Sequence, residues 1–190
     1  YTSAEMQNLL LITPKLAKKH NLSGTVGVTY DNNLTSQTST VSENFFTPAL
    51  GIDGFSLGQN YYPLTLGKSQ VAVLSALSRA VYNYNNRYFL TATGRYDGSS
   101  RFAPGNKFGF FSSFAAAWKI SNEKFFSSIN AISDLKLRLG WGQTGVQSIA
   151  PYQTRGLYNA NTYALPGGSL SNGQIPARIA NEDLTWETSE

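Results

Sequence analysis

The sequence contains no cysteine among its 190 residues, and its only histidine is His20. The absence of cysteine excludes a disulfide framework and a thiolate metal site. A single histidine cannot build a histidine-based metal centre. Charged residues are also scarce, at 14% of the sequence against about 25% in an average soluble domain. The low charge fraction is unusual for a soluble domain. We expect neither a metal site nor a cofactor site.

Long apolar runs are missing as well. No segment approaches the roughly 18 consecutive apolar residues of a transmembrane helix, so a membrane-crossing chain of this kind would need strands closed into a barrel. No signal peptide is visible, and the chain starts at Tyr1, which indicates a piece of a longer protein. The net charge of +4 comes from scattered lysines and arginines, so no nucleic-acid partner is expected.

What the sequence does contain is alternation with a period of two, as where Leu137, Leu139 and Trp141 alternate with Arg138 and Gly140. Such a strand has one apolar face and one polar or small face. An apolar face in lipid and a polar face in water are typical of a transmembrane β-barrel wall. We predict an all-β fold, in which residues 1–190 form part of a large barrel of antiparallel strands. The predicted strands cover residues 6–16, 22–30, 71–84, 87–97, 108–120 and 135–145.

The first of these strands is the least regular. Residues 6–16 form an apolar run that contains Pro14, which argues against a long helix and against a central strand. An irregular strand is favoured, and a short amphipathic helix capped by Ser3 is the alternative.

The connections between the predicted strands alternate in length. One set of connections consists of residues 31–70, 98–107 and 146–185, of which the first and last are long and polar. The other set consists of residues 17–21, 85–86 and 121–134. Successive antiparallel strands place alternate connections at opposite ends of the sheet. Outer-membrane barrels have long extracellular loops and short periplasmic turns. We therefore predict that 31–70 and 146–185 are extracellular loops.

The glycines of residues 140–145 match the spacing of a dinucleotide-binding fingerprint. That fingerprint also needs a following helix and an acidic residue about 20 positions on. Neither is indicated here, since no Asp or Glu follows before Glu182. The glycines are better explained by a bend or bulge at the end of a strand. No pattern nominates a catalytic residue, and we do not expect an enzyme.

Four charged residues are candidates for a solute path. Arg79 and Arg138 fall on the predicted polar face. Arg95 and Asp97 cluster with Arg101 around the segment DGSSRF, residues 97–102. Together, Arg79, Arg95, Asp97 and Arg138 could line the route of a polar solute. For Asp97 the favoured alternative is structural, with Asp97 and Ser99 binding backbone amides in a tight turn.

Three segments carry a family resemblance: NRYFLTATGRYDGSSRF, FGFFSSFAAAWKIS and ISDLKLRLGWGQTGVQ, at residues 86–102, 108–121 and 132–147. Their order and spacing resemble the SusC/RagA group of TonB-dependent outer-membrane transporters. The closing NEDLTWETSE, at residues 181–190, resembles the run that precedes a further strand in that group.

The resemblance implies a piece of a large barrel, without its plug domain, in the outer membrane of a Gram-negative bacterium. It also implies nutrient import energised through the TonB complex, which would act through parts of the protein outside this piece. The implied partners are a SusD-like surface lipoprotein, outer-membrane lipid, and an oligosaccharide or peptide as substrate.

A soluble all-β carbohydrate-binding module is the alternative. Such a module would also show alternating strands and exposed aromatic residues. It would bury its apolar faces between two sheets and would have no lipid-facing belt.

Overall fold

The computed structural model describes residues 1–47, 49–126 and 132–190, and the described part is built mainly of β-strands. Short 3₁₀ helices cover Gly51–Leu57, Ile120–Asn122 and Lys124–Phe126. In the part of the chain that is described, no helix has the length and apolar character needed to cross a membrane.

The strands are β1 Thr2–Ile12, β2 His20–Ser39, β3 Ser42–Glu43, β4 Asn60–Tyr61, β5 Thr65–Tyr84, β6 Tyr88–Ser99, β7 Phe108–Lys119, β8 Lys136–Gly142, β9 Thr144–Val146, β10 Leu157–Ala164, β11 Leu170–Arg178 and β12 Glu187–Ser189.

Six of these strands form one antiparallel sheet in the order β1-β2-β5-β6-β7-β8. Each strand pairs with the next along this order, so the sheet is an open meander with β1 and β8 at its edges. Three small ribbons, β3 with β4, β9 with β12 and β10 with β11, lie in the connections. The predicted all-β antiparallel architecture is confirmed.

The sheet has no second layer packed along it in the described residues. The apolar residues buried there are few, namely Phe102, Ala103, Phe111 and Phe126. A sandwich would instead bury the inner faces of two sheets against each other. The arrangement therefore contradicts the soluble sandwich alternative.

A tight turn joins β5 and β6, as the sequence predicts. Asn85 and Asn86 both have positive φ, of 51° and 52°, and the Arg87 amide donates to the Tyr84 carbonyl. Two consecutive left-handed residues are typical of a type I′ turn, and asparagine tolerates this conformation.

The position of β1 corrects the prediction of a strand over 6–16. The strand runs from Thr2 to Ile12 and ends two residues before Pro14. Proline has no amide proton to give to the ladder, so pairing with β2 stops before it. The alternative of a short helix near Ser3 is also wrong, because Ser3 lies within β1.

The predicted loop 31–70 is shorter than expected. Strand β2 continues to Ser39 and β5 begins at Thr65, so both predicted strands, 22–30 and 71–84, extend well into it. These extensions pair with each other and, apart from Leu34 and Leu66, carry polar or small residues on both faces. The period-two signal therefore disappears from the sequence although the ladder continues.

The predicted loop 146–185 also contains strands. The hairpin of β10 and β11 occupies much of it, and β9 pairs with β12 beyond its end. The ends of β6, β7 and β8 differ from the predicted 87–97, 108–120 and 135–145 by no more than three residues. Of the predicted connection 121–134, residues 127–131 lie outside the described part.

Candidate functional site

The cross-strand register divides the large sheet into two chemically different faces. On the apolar face, many large side chains are exposed to solvent. Within the six described strands this face carries a single charged residue, Lys68, near the start of β5. Residues of the apolar face include Val26, Val28, Leu74, Leu90, Phe110, Phe114, Leu137, Leu139 and Trp141.

One aromatic row crosses the apolar face at the end that holds the Asn85–Asn86 turn. His20, Tyr84, Tyr88 and Trp118 are register partners on four neighbouring strands. Tyr88 stacks between Tyr84 and Trp118, with ring centroids 6.3 and 6.4 Å apart. We call this the turn-end row.

A second aromatic row, the loop-end row, lies toward the long connections and contains Tyr30, Tyr96 and Phe108. Tyr96 and Phe108 stack with centroids 5.1 Å apart. Trp118 follows Phe108 by ten residues along β7. At about 3.4 Å per residue and a tilt of about 40°, ten residues rise about 26 Å. This matches the apolar band of about 25 Å between the aromatic girdles of outer-membrane barrels.

The polar face carries all four predicted solute-path residues. Arg79 lies opposite Thr93, and Arg95 lies opposite Leu77 on the neighbouring strand. Asp97 is two residues beyond Arg95. Arg138 of β8 lies opposite Ala117 of β7. Arg79 and Arg95 are thus diagonal neighbours, about 7–8 Å apart at Cα, whereas Arg138 is three strands away from Arg79.

Arg95 and Asp97 form an ion pair with an N–O distance of 3.2 Å. The expected turn is therefore correct for Ser99, whose hydroxyl accepts from the Arg101 amide at 3.3 Å, and wrong for Asp97, whose carboxylate accepts from the Arg95 side chain. The reason is that β6 extends to Ser99, so Asp97 is a strand residue. Among the described residues no ion pair involves Arg79 or Arg138.

Positive charge also collects where β7 and β8 meet near the turn end. Lys119 and Lys136 are direct cross-strand partners, an arrangement that repels when uncompensated. Here Asp134 lies 3.5 Å from the Lys119 ammonium, and the Lys136 ammonium sits 4.1 Å from the centre of the Phe89 ring. The polar face of β5 to β8 is therefore basic, with Arg79, Arg95, Lys119, Lys136 and Arg138 against Asp97.

Sequence reasoning missed an aromatic cluster that covers the loop end of the polar face. The Trp186 ring packs between Phe102 and Phe111, with centroids 5.2 and 5.4 Å away. A side chain at Gly145 would clash with the Phe111 ring, since its Cβ would lie 2.1 Å from a ring carbon. The only local signal was the glycine itself, because Trp186 is far from Phe111 in sequence. The glycines of residues 140–145 therefore allow close packing against the Phe111 ring, in addition to the interruption between strands β8 and β9.

Arg101 fastens the long final connection to the DGSSRF segment. Its guanidinium donates to the backbone carbonyls of Gln147 and Ile149. Beside it, a recess of about 350 Å³ lies between Gln70, Tyr152 and Glu182. The Tyr152 hydroxyl accepts from the Gln70 amide at 3.1 Å. Lys107 and Arg155 also line this recess.

At the turn end, Glu123 ties the short helical turns to the strands. Its carboxylate accepts from the Trp118 indole at 3.1 Å and from the Tyr88 hydroxyl at 2.9 Å, and pairs with Arg87 at 3.1 Å. The Trp118 and Tyr88 hydrogen bonds and the Arg87 charge hold the pKa of Glu123 below its usual range. Glu123 thus bridges two rings of the turn-end row.

Within residues 1–47, 49–126 and 132–190, no group of three or more His, Asp or Glu side chains could hold a metal ion. His20 instead shares a hydrogen bond of 2.7 Å with the Tyr82 hydroxyl.

An open antiparallel sheet with a charge-poor apolar belt between two aromatic rows is part of a transmembrane β-barrel wall. Sequence relatives lead to the same class. TonB-dependent receptor P26 of Formosa agariphila is 35% identical over 188 residues, which are 96% of this chain and 18% of the relative. TonB-dependent receptor SusC of Bacteroides thetaiotaomicron is 44% identical over 118 residues, covering 60% of this chain and 12% of the relative.

Solved structures agree with these relatives. The RagAB peptide transporter superposes with a TM-score of 0.82 at 26% identity, over 98% of this chain and 20% of that chain. The RagAB peptide importer in its open-open state gives a TM-score of 0.81. No family model matches the sequence. The chain belongs to the SusC/RagA type of TonB-dependent receptor and corresponds to part of its β-barrel.

The chain spans about a fifth of the length of these relatives. Their names are those of receptors and transporters, and none is that of an enzyme, which agrees with the prediction from the sequence.

Proposed function

We propose that residues 1–190 form part of the wall of an outer-membrane transporter that imports nutrients. The observation that carries this proposal is the apolar belt, which is about as tall as the apolar band of outer-membrane barrels. In water such a belt would be a large aggregation-prone surface. In a bilayer it is the surface that lipid requires. The SusC and RagAB relatives support the same reading.

The long connections lie outside the cell in this proposal, and the Asn85–Asn86 turn lies in the periplasm. Support comes from their lengths, because outer-membrane barrels have long extracellular loops and short periplasmic turns. The polar face then lines the lumen. Arg79, Arg95, Asp97 and Arg138 would form one side of the solute path, which suits an oligosaccharide or a peptide.

The partners proposed for the whole protein are a SusD-like surface lipoprotein and the TonB complex. The relatives named TonB-dependent receptor SusC and RagAB peptide transporter support this assembly. The exposed surfaces of the loop end, which include the β10–β11 hairpin, are available to a surface partner.

Orientation can be tested by labelling single cysteines, because this part of the chain has none of its own. Cysteine replaces Ile52 in the loop-end 3₁₀ helix, or Asn86 in the turn, in the full-length protein. A membrane-impermeant maleimide should label I52C on intact cells and N86C only after the outer membrane is opened. Labelling of N86C on intact cells would contradict the proposed orientation.

Transport can be tested in cells that carry the full-length protein as their sole copy. Neutral oligosaccharides and mixed short peptides are offered separately, and their uptake is measured with and without a protonophore. Uptake of one class that stops when the proton gradient is dissipated is the expected result. Uptake of neither class, or uptake indifferent to the protonophore, would contradict energised nutrient import.

A further inference from the structure

The recess beside Tyr152 lies just beyond the loop-end row of the sheet. Gln70 and Ala72 form its β5 wall, and its other walls come from the β6–β7 connection, the final connection and Glu182. Ala72 is two residues beyond Leu74, which is the register partner of Tyr30 in the loop-end row, and Gln70 is four residues beyond it. We call this site the rim recess.

The height of the rim recess matches the headgroup layer of a bilayer. Two to four residues of a tilted strand rise about 5–10 Å, at about 3.4 Å per residue and a tilt of about 40°. The headgroup layer adds about 5–8 Å on each side of the hydrocarbon core. Gln70 and Ala72 share the parity of the apolar face, where the Gln70 side chain donates to the Asn32 side chain at 2.9 Å. The β5 wall of the recess therefore continues the lipid-facing surface.

Two cations and one carboxylate give the rim recess a net positive charge, since Lys107 and Arg155 line it together with Glu182. Among the described residues neither cation forms an ion pair. The Arg155 guanidinium lies 5.7 Å from the centre of the Tyr152 ring, and the Tyr152 hydroxyl accepts from the Gln70 amide. A guanidinium, an ammonium and a phenol hydroxyl are all donors that can bind phosphate oxygens.

The hydrogen bonds that hold the walls of the recess together involve the backbone of the two cationic residues. The Lys107 carbonyl accepts from the Ser99 amide at 3.0 Å and from the Trp186 indole at 2.8 Å. The Arg155 carbonyl accepts from the Arg178 side chain at 3.1 Å. Substitution of the Lys107 and Arg155 side chains therefore leaves these bonds in place.

We propose that the rim recess binds the phosphate of a phosphorylated glycolipid in the outer leaflet of the outer membrane. Basic pockets beside a membrane surface bind anionic lipid headgroups, and phosphorylated glycolipid is the main component of that leaflet. Arg155 and Lys107 hold the phosphate oxygens, and Tyr152 donates its hydroxyl proton to one of them. The volume of about 350 Å³ exceeds that of a phosphate group, so part of the attached sugar can enter. This inference rests on the proposed function, since it needs the loop end to lie at the outer surface.

Retention of lipid A by the full-length protein tests the site. The purified protein is incubated in detergent with diphosphorylated lipid A and washed, and the bound lipid A per protein is counted by native mass spectrometry. Lipid A stripped of both phosphates is offered in parallel. We expect the stripped form to be retained about tenfold less. Equal retention of the two forms would overturn recognition of the phosphate.

Charge variants assign the retained lipid A to the rim recess. Lys107→Gln combined with Arg155→Gln should lower retention about tenfold, because both charged donors are lost. Lys15→Gln combined with Lys18→Gln is the matched control, which removes the same charge from the connection between β1 and β2 at the turn end. Glu182→Gln should preserve or raise retention, because it removes the carboxylate of the recess. Unchanged retention in the first variant, an equal loss in the control, or a loss in Glu182→Gln would each overturn the site.

Folding of the variants is checked by heat-modifiable migration. Should the double glutamine variant fail to assemble, Arg155→Gln alone takes its place and is judged by the same outcomes. Lys107→Arg combined with Arg155→Lys keeps both charges and should retain lipid A as the unaltered protein does. A tenfold loss in this charge-conserving variant would show that packing, and not charge, determines retention.

Failure of the proposed function is distinguishable from failure of this site. If I52C is not labelled on intact cells, the orientation is wrong and the glycolipid site is wrong with it. If I52C is labelled and the double glutamine variant keeps lipid A, the glycolipid site alone is wrong. If that variant also loses solute uptake, the rim recess belongs to the solute path instead.

Discussion

The two faces of the sheet share one backbone and differ in almost everything else. The apolar face carries Lys68 as its single charge in the described strands, while the polar face of β5 to β8 holds five cations. Neighbouring residues such as Arg138 and Leu139 therefore lie on opposite faces, the first on the polar face and the second on the apolar face. Position along this chain therefore says little about the environment of a residue, which is decided by parity within its strand.

The largest expected effect comes from a charge placed on the wrong face. Val26 lies on the apolar face, between the two aromatic rows. We expect Val26→Arg to destabilise the assembled full-length protein by about 2–4 kcal/mol, the cost of arginine near the bilayer midplane. Denaturant unfolding in lipid vesicles, read by the heat-modifiable migration of the folded barrel, gives the measurement.

Ser23→Arg is the matched control on the polar face of the same strand. Ser23 lies opposite Val81 and beside a small recess that can hold a longer side chain. We expect a change within about 0.5 kcal/mol, as for ordinary surface substitutions. Equal losses for the two variants would show that the faces are not in lipid and water, respectively.

The same contrast explains how much of the fold was predictable. Strands are legible in the sequence where one face contacts lipid, as in the alternation around Leu137 and Leu139. The signal fails where β2 continues to Ser39, because Leu34 is the one large apolar residue in that extension. It fails again in β1, where Leu9 to Ile12 are apolar on both faces and the pattern has no period.

The candidate site was predictable in part, for a similar reason. Parity placed Arg79, Arg95, Asp97 and Arg138 on one face. Parity could not predict the ion pair between Arg95 and Asp97, because the sequence does not show that strand β6 extends to Ser99. The packing of Trp186 on Phe111 depends on how the final connection folds back over the polar face, and no local pattern encodes that path.

An intermediate effect is expected where the polar face is capped by aromatic rings. Gly145→Ala would place a methyl group 2.1 Å from a carbon of the Phe111 ring. The ring has to move, and overpacking of this kind costs about 1–3 kcal/mol. Gly140→Ala is the control, because its nearest neighbours would be 3.8 and 3.9 Å away. The same unfolding measurement applies, and a Gly140 variant as damaged as the Gly145 variant would refute the packing argument.

The smallest expected effect on stability is at Glu123, which lies where the apolar face ends. Hydrogen bonds from Trp118 and Tyr88 and the Arg87 charge favour its carboxylate, so its folded pKa is lowered. The unfolded chain therefore takes up the proton first as the pH falls. The stabilisation is complete above the ordinary glutamate pKa of about 4.3 and is lost as the pH falls through the lower folded value.

Two variants make this pH dependence specific to Glu123. Glu123→Gln should be less stable than the unaltered protein at neutral pH and should converge with it in acid, because it has no carboxylate to protonate. Trp118→Phe keeps an aromatic ring in the turn-end row and removes the indole donor, so the acid loss should move to higher pH. The readout is the temperature at which heat-modifiable migration is lost, measured from neutral pH downward. If the difference in this temperature between Glu123→Gln and the unaltered protein is the same at every pH, the charge of the Glu123 carboxylate contributes nothing to stability.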